Sequence, residues 1–183
     1  MTEEKTASLT TSSSEVKPRE VKRQRKLVSE KAPSTVDAKA VDKVTKNKFS
    51  KGMLVEVSSD EDGFEGAWFA ATIIEAVGKD KYLVQYHNLR TEDDTDFLRE
   101  EINIQNIRPS PPDTVVVDCF KLKEEVDAWY SDAWWVGTIT KVRHNSKYTV
   151  YFKYTNEELM FKHSDLRLHQ DWIGGKWITA SQV

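Results

Sequence analysis

Ala67-Trp68-Phe69-Ala70-Ala71-Thr72-Ile73 lies over Ala133-Trp134-Trp135-Val136-Gly137-Thr138-Ile139 when the chain is shifted by 66 positions. The same shift carries Tyr82-Leu83-Val84-Gln85-Tyr86 onto Tyr148-Thr149-Val150-Tyr151-Phe152. Val55-Glu56-Val57 matches Val126-Asp127-Ala128 once five residues are dropped from the intervening loop, and Ile107-Arg108 matches Leu166-Arg167 at a different shift. Spacing is constant inside each block and slips only between blocks. A duplicated β unit behaves this way, because strands hold register while loops absorb insertions.

Working outward, each copy reads as five short strands rich in β-branched and aromatic residues. In the first they are expected at 53–57, 68–76, 81–86, 97–101 and 106–108, with a turn through Lys79-Asp80. In the second they are expected at 126–129, 135–141, 147–154, 158–161 and 166–168, following a β-prone run from Val115, with Asn145-Ser146 in the turn. Tyr82, Val84 and Tyr86 alternate with Leu83 and Gln85, which is strand periodicity. Pro109, Pro111 and Pro112 mark the boundary between copies, since proline lacks the donor a ladder needs. No amphipathic helix is legible between Phe49 and Leu168. The expected fold is all-β, two small curled barrels packed in tandem. The divisions are a tail at 1–48, barrels at 49–112 and 113–177, and a short tail at 178–183.

Residues 1–48 contain no Trp, Tyr or Phe and carry 12 Lys/Arg against 7 Asp/Glu. Such a stretch buries too little apolar surface to offset its ordering entropy and reads as disordered. Its cluster Lys17-Pro18-Arg19-Glu20-Val21-Lys22-Arg23-Gln24-Arg25-Lys26 is of the kind nuclear import receptors read, and could also touch nucleic acid weakly. The remaining residues hold 15 basic and 23 acidic side chains. An acidic, aromatic-rich body suits a basic peptide better than a phosphate backbone. No apolar run approaches the ~20 residues of a membrane span and no signal-peptide core opens the chain, so a soluble intracellular protein with no membrane partner is expected. Cys119 stands alone in a β-prone run and reads as a buried structural thiol. No Cys/His cluster has zinc spacing, and neither metal nor cofactor is expected. The four His (His87, His144, His163, His169) are scattered, with no paired nucleophile and no Gly-rich phosphate loop, so catalysis is not expected.

Several blocks in order resemble the paired modules of plant tandem Agenet proteins, members of the Tudor-like group. The first half is carried by 53–57, Gly63-Phe64-Glu65-Gly66-Ala67-Trp68-Phe69, 82–86 and Ile107-Arg108-Pro109. The second is carried by Val126-Asp127-Ala128-Trp129, Asp132-Ala133-Trp134-Trp135, 147–152, Ser164-Asp165-Leu166-Arg167 and Trp172-Ile173-Gly174-Gly175-Lys176-Trp177. The resemblance implies a nuclear chromatin reader that binds methylated lysine on a histone tail, in some members the heterochromatin mark. A methylated ammonium keeps its charge but is weakly hydrated, so aromatic faces compete with water for it at roughly 0.5–2 kcal/mol per contact.

Carried onto this sequence, the resemblance implies a cage of Phe64, Trp68 and Tyr86 in the first unit, edged by Asp60, Glu61 and Asp62. The second-unit set is Trp129, Tyr130, Trp134 and Phe152 with Asp132, weakened because Phe152 lacks the hydroxyl of Tyr86; the first set is favoured. Phe69, Tyr82, Trp135 and Tyr148 are expected in the core. Asp93, Asp94, Asp96, Glu124, Glu125 and Asp127 are candidates for basic residues flanking the modified lysine. The terminal block is expected to fold back on the second barrel. Two other readings stay open. One is an RNA-associated adaptor like the paired Agenet domains of fragile X family proteins. The other is a protein–protein scaffold anchored by Trp172 and Trp177.

Overall fold

The computed structural model describes residues 48–112 and 117–179. The expected basic tail, the start of the run at Val115 and the last four residues lie outside them. The first barrel is β1 (Leu54–Ser58), β2 (Ala67–Val77), β3 (Lys81–Arg90), β4 (Phe97–Asn103) and β5 (Ile107–Pro109). The second repeats it as β6 (Glu125–Tyr130), β7 (Ala133–Arg143), β8 (Lys147–Phe152), β9 (Glu157–Lys162) and β10 (Leu166–Leu168), and a hairpin of β11 (Gln170–Ile173) and β12 (Lys176–Thr179) follows. A single 3-10 turn leads into β5 and another into β10. β12 thus continues through Ile178 and Thr179, where a tail was expected.

Alternation builds each barrel. Along β2, Ala67, Phe69, Ala71 and Ile73 are buried while the intervening residues are half-exposed. Register slips by one residue at Ile74 in β2 and at Thr140 in β7, positions 66 apart. A bulge of this kind bends a strand and strengthens its twist, which lets one 11-residue strand curl around a small core. The β6–β7 hairpin turns through Ser131 and Asp132, both at positive φ (51° and 60°), the geometry a two-residue hairpin demands.

The duplication extends further than the sequence blocks. Phe49 packs edge-on against Tyr82 and Phe120 against Tyr148, each with centroids 5.4 Å apart. In each case the phenylalanine N–H donates to the tyrosine hydroxyl at 3.3 Å. Phe120 takes the buried position at the entry to the second barrel and Cys119 points outward. The thiol expected in the core is exposed.

The barrels do more than pack. β2 and β7 pair antiparallel, Ala67 with Trp135 and Trp68 with Trp134, joining ten strands in one continuous sheet. Trp68 therefore pairs with its own repeat counterpart, which places a local two-fold axis between the two indoles, as at an isologous dimer contact. The half-buried Trp135 packs against both hydrophobic cores.

Gly137, opposite Val126 in β7, has no room for a side chain: a Cβ there would collide with Val150 and press on Phe152 and the Tyr151 carbonyl. Gly137→Ala is expected to destabilise the protein by about 1–3 kcal/mol, measured by denaturant unfolding.

Candidate functional site

Four charged side chains meet where the barrels join. Glu56 and Asp127 sit at the centres of β1 and β6, 2% and 1% exposed. Arg108 and Arg167 come from β5 and β10, which pair with those strands. Arg108 donates from Nε and Nη2 to Glu56 Oε2 at 2.9 and 2.7 Å, and Arg167 Nε donates to Asp127 Oδ2 at 3.0 Å. Each arginine also reaches the other repeat's carboxylate: Arg167 Nη1 lies 2.7 Å from Glu56 Oε1, and Arg108 Nη2 lies 3.9 Å from Asp127 Oδ2.

Two indoles lid the quartet. The Arg108 guanidinium lies 3.7 Å from the Trp68 ring centroid and that of Arg167 lies 4.2 Å from Trp134. Trp129 packs edge-on against Trp134 at 5.1 Å. The β11–β12 hairpin closes over the first-barrel arginine, with the Gln170 carbonyl accepting from Arg108 Nη1 at 3.2 Å and Trp177 5.0 Å from the guanidinium. The terminal block therefore reaches across the joint. Trp68 and Trp134, expected as cage walls, cover the chain's own arginines. Asp127, expected beside a bound peptide, is buried under them.

Burial pulls the Arg108 pKa below its ordinary value, against the opposing pull of Glu56 and Asp127. Burial also pulls His169 down, but its 2.6 Å contact with Asp127 and the charges of Asp127 and Asp171 outweigh this, and its pKa is raised.

A different set of rings converges in the first barrel. Phe64, on the β1–β2 loop, meets Phe69 edge-on at 5.8 Å and 63°, and Phe69 meets Tyr86 at 6.2 Å and 83°. Near-perpendicular rings make a corner. The Tyr86 hydroxyl donates to Glu100 Oε2 at 2.8 Å, which brings a carboxylate to the corner's edge. Phe69 and Tyr86 are almost fully buried, whereas Phe64 is half-exposed and stacks at 6.4 Å on Trp135. Of the expected first set, Phe64 and Tyr86 are brought together through Phe69, a residue expected only in the core; Trp68 lies on the opposite face of β2.

The matching place in the second barrel is filled. Phe161 packs edge-on against both Tyr130 and Phe152, at 6.4 and 5.9 Å, where the first barrel has Ile102 at the same register position. Asp132 is exposed in its tight turn.

The acidic loops are organised largely within themselves. Asp60 accepts from Asn106 Nδ2 at 2.8 Å, while Glu61 and Asp62 are exposed beside it. Asp93 accepts from the Thr91 and Thr95 hydroxyls and the Thr95 N–H, bonds that hold its pKa below the usual range. Asp94 lies 3.8 Å from Arg90, and Asp96 accepts from the Phe97 N–H. Glu124 accepts from the Lys121 N–H at 2.7 Å and Glu125 is exposed.

Glu56, Arg108, Arg167 and His169 are not among the residues that sequence reasoning singles out. A signal is present nonetheless: both repeat blocks carry a carboxylate at the centre of the first strand and an arginine in the fifth.

Removing one buried partner strands the others. Arg108→Met is expected to cost about 3–5 kcal/mol by denaturant unfolding, with Glu56→Met plus Arg108→Met costing less than the sum of the singles. His169 has a raised folded-state pKa, so its stabilising contribution is complete below about pH 6.5 and is lost as pH rises through the folded value. Melting temperature is expected to fall from about pH 6 to about pH 8, and His169→Gln to flatten that profile.

The Agenet domain family matches residues 52–112 and 117–182. Protein AGENET DOMAIN (AGD)-CONTAINING P1 of Arabidopsis thaliana is 54% identical over 135 residues, 74% of this chain and 26% of that protein. DUF724 domain-containing protein 3 of the same plant is 40% identical over 136 residues, 72% of this chain and 20% of that protein. The chain thus spans about a fifth to a quarter of the length of these relatives. The crystal structure of Arabidopsis thaliana AGDP1 AGD34 aligns with a TM-score of 0.69 at 43% identity, covering 73% of this chain and 91% of that one. That of ADCP1 tandem Agenet domain 3-4 aligns with a TM-score of 0.66 at 40% identity, covering 73% and 89%. With two matched units forming Tudor-like barrels joined through one sheet, the chain belongs to the Agenet family of binding modules, as a tandem pair of the plant type.

Proposed function

We propose that the chain is a chromatin reader that binds a methylated lysine on a histone tail, with the first barrel as the working half. The observation that carries this reading is the corner of Phe64, Phe69 and Tyr86, with Glu100 hydrogen-bonded at its edge. Perpendicular rings offer faces to a weakly hydrated cation, and a nearby carboxylate adds attraction. Charge supports the same half. Residues 48–112 carry 13 acidic against 7 basic side chains, whereas 117–179 carry nine of each. A basic histone segment is drawn to the first barrel, by an attraction that salt weakens.

Phe64 is the outermost wall. It sits on a loop and is half-exposed, and in this reading its ring turns aside to let the ligand reach the two buried rings. Affinities for such peptides fall in the micromolar range, roughly −7 to −8 kcal/mol. The place of action is the nucleus, with the basic cluster at 17–26 as the import segment.

Calorimetric titration with histone peptides, methylated and unmodified, tests the reading. The methylated peptide is expected to bind more tightly. Phe64→Ala is expected to weaken it by roughly 2- to 30-fold, the worth of one cation–π interaction, and Phe64→Tyr to restore it. Equal binding of methylated and unmodified peptides would sink the proposal.

A further inference from the structure

The outer face of the second barrel carries a row of like charges that folding does not explain. Arg143 in β7 pairs with Lys147 in β8, which pairs with Lys162 in β9. Three cations therefore stand side by side across three strands, an arrangement that repels. All three residues are exposed, and among the described residues no carboxylate forms an ion pair with any of them. Arg143 is held over the sheet by donating from Nε to Thr149 Oγ1 at 2.9 Å. Lys141 extends the row and forms an ion pair with Glu158 at 3.0 Å. The Glu158 carboxyl is held below its usual range, first by the hydrogen bond from Lys141, then by Thr140 and the neighbouring positive charges.

The first barrel is an internal control. Val77, Lys81 and Asn103 pair in the same register, and Glu75 stands where Lys141 does. The same scaffold thus folds with one cation in the row and an acid beside it. The charges at 143 and 162 are therefore not required by the scaffold.

We infer that the solvent face of β7, β8 and β9 binds the phosphate backbone of double-stranded nucleic acid, a function separate from the ring corner. Two interstrand gaps give the row a width of about 10 Å. Over that length a duplex presents roughly six phosphates, enough for each cation to find its own, whereas a single small anion would engage one or two. The row lies in the barrel without a net negative charge. Peptide and duplex therefore have different faces of one module, and neither must displace the other.

The test uses the full chain and a short labelled DNA duplex of mixed sequence, with affinity followed against salt concentration. Arg143→Gln, Lys147→Gln and Lys162→Gln combined are expected to weaken binding and to make the log–log salt slope shallower by roughly 2–3, about one for each phosphate no longer neutralised. The basic segment before residue 48 is present in both proteins, so the difference reports this face. Lys81→Gln, at the matching position of the first barrel, is expected to leave the slope unchanged. Thermal unfolding should show the triple variant folded, since like-charge repulsion is relieved. Its methylated-peptide affinity should be unaltered, which separates this inference from the reader function. An unchanged slope in the triple variant would overturn the inference. So would equal binding of polyglutamate through the same three residues, which would make the face a site for acidic protein.

Discussion

Two carboxylates and two guanidinium groups, buried together across one joint, hold this molecule in its shape. The strand contact between the barrels is only two residue pairs long, too short to fix their relative orientation by its ladder alone. The quartet supplies what the ladder lacks. Moving an ion out of water costs several kcal/mol, and here each guanidinium approaches both carboxylates. Separating the barrels would break the ion pair between Arg167 and Glu56 and uncover groups already stripped of water. An apolar joint of similar volume could match it in stability. It would not select one arrangement so sharply, because only the two-fold placement sets each arginine against both acids.

Symmetry at the joint contrasts with divergence away from it. The interior strand positions repeat because both barrels must fill the same small volume and meet the same partner. One interior position departs: Ile102, half-buried in the first barrel, is Phe161 in the second, buried between Tyr130 and Phe152. The outer faces are free of that packing constraint, and there the copies differ more widely. Glu75, Val77 and Asn103 are Lys141, Arg143 and Lys162. One scaffold thus carries a ring corner within an acidic barrel and a basic row on a neutral one.

The fold is largely legible in the sequence because strands alternate with period two and the repeat doubles every signal. Ten strands stand near their expected places, and the copies occupy a single sheet. The β11–β12 hairpin and the partnership of Phe49 with Tyr82 are less visible, since each depends on contacts between segments far apart in the chain. The site is less legible than the fold. Trp68 and Phe69 are adjacent bulky aromatics on opposite faces of one strand, and alternation alone does not say which face meets which neighbour. What separates them is the guanidinium of Arg108, forty residues on in sequence and 3.7 Å away in space. Cys119 departs from expectation for a similar reason. A β-prone run suggests burial along its whole length, yet among the described residues Val117 and Phe120 pack on the second core while Cys119 is exposed.

The chemistry that locks the joint is also the chemistry of reading a methylated lysine: a cation laid on an aromatic face with acid nearby. This is why tryptophans beside carboxylates mislead a sequence reading, and why geometry must decide. A guanidinium anchored by the fold presents itself to its indole at an effective concentration of order millimolar or higher. A peptide cation of micromolar affinity cannot displace it, because the visitor would have to replace both the stacking and that guanidinium's contacts with both carboxylates. Trp68 and Trp134 are therefore committed to structure by the same attraction that made them candidates for recognition. Under the proposed reading the ligand cation instead meets Phe64, half-exposed on its loop against Phe69.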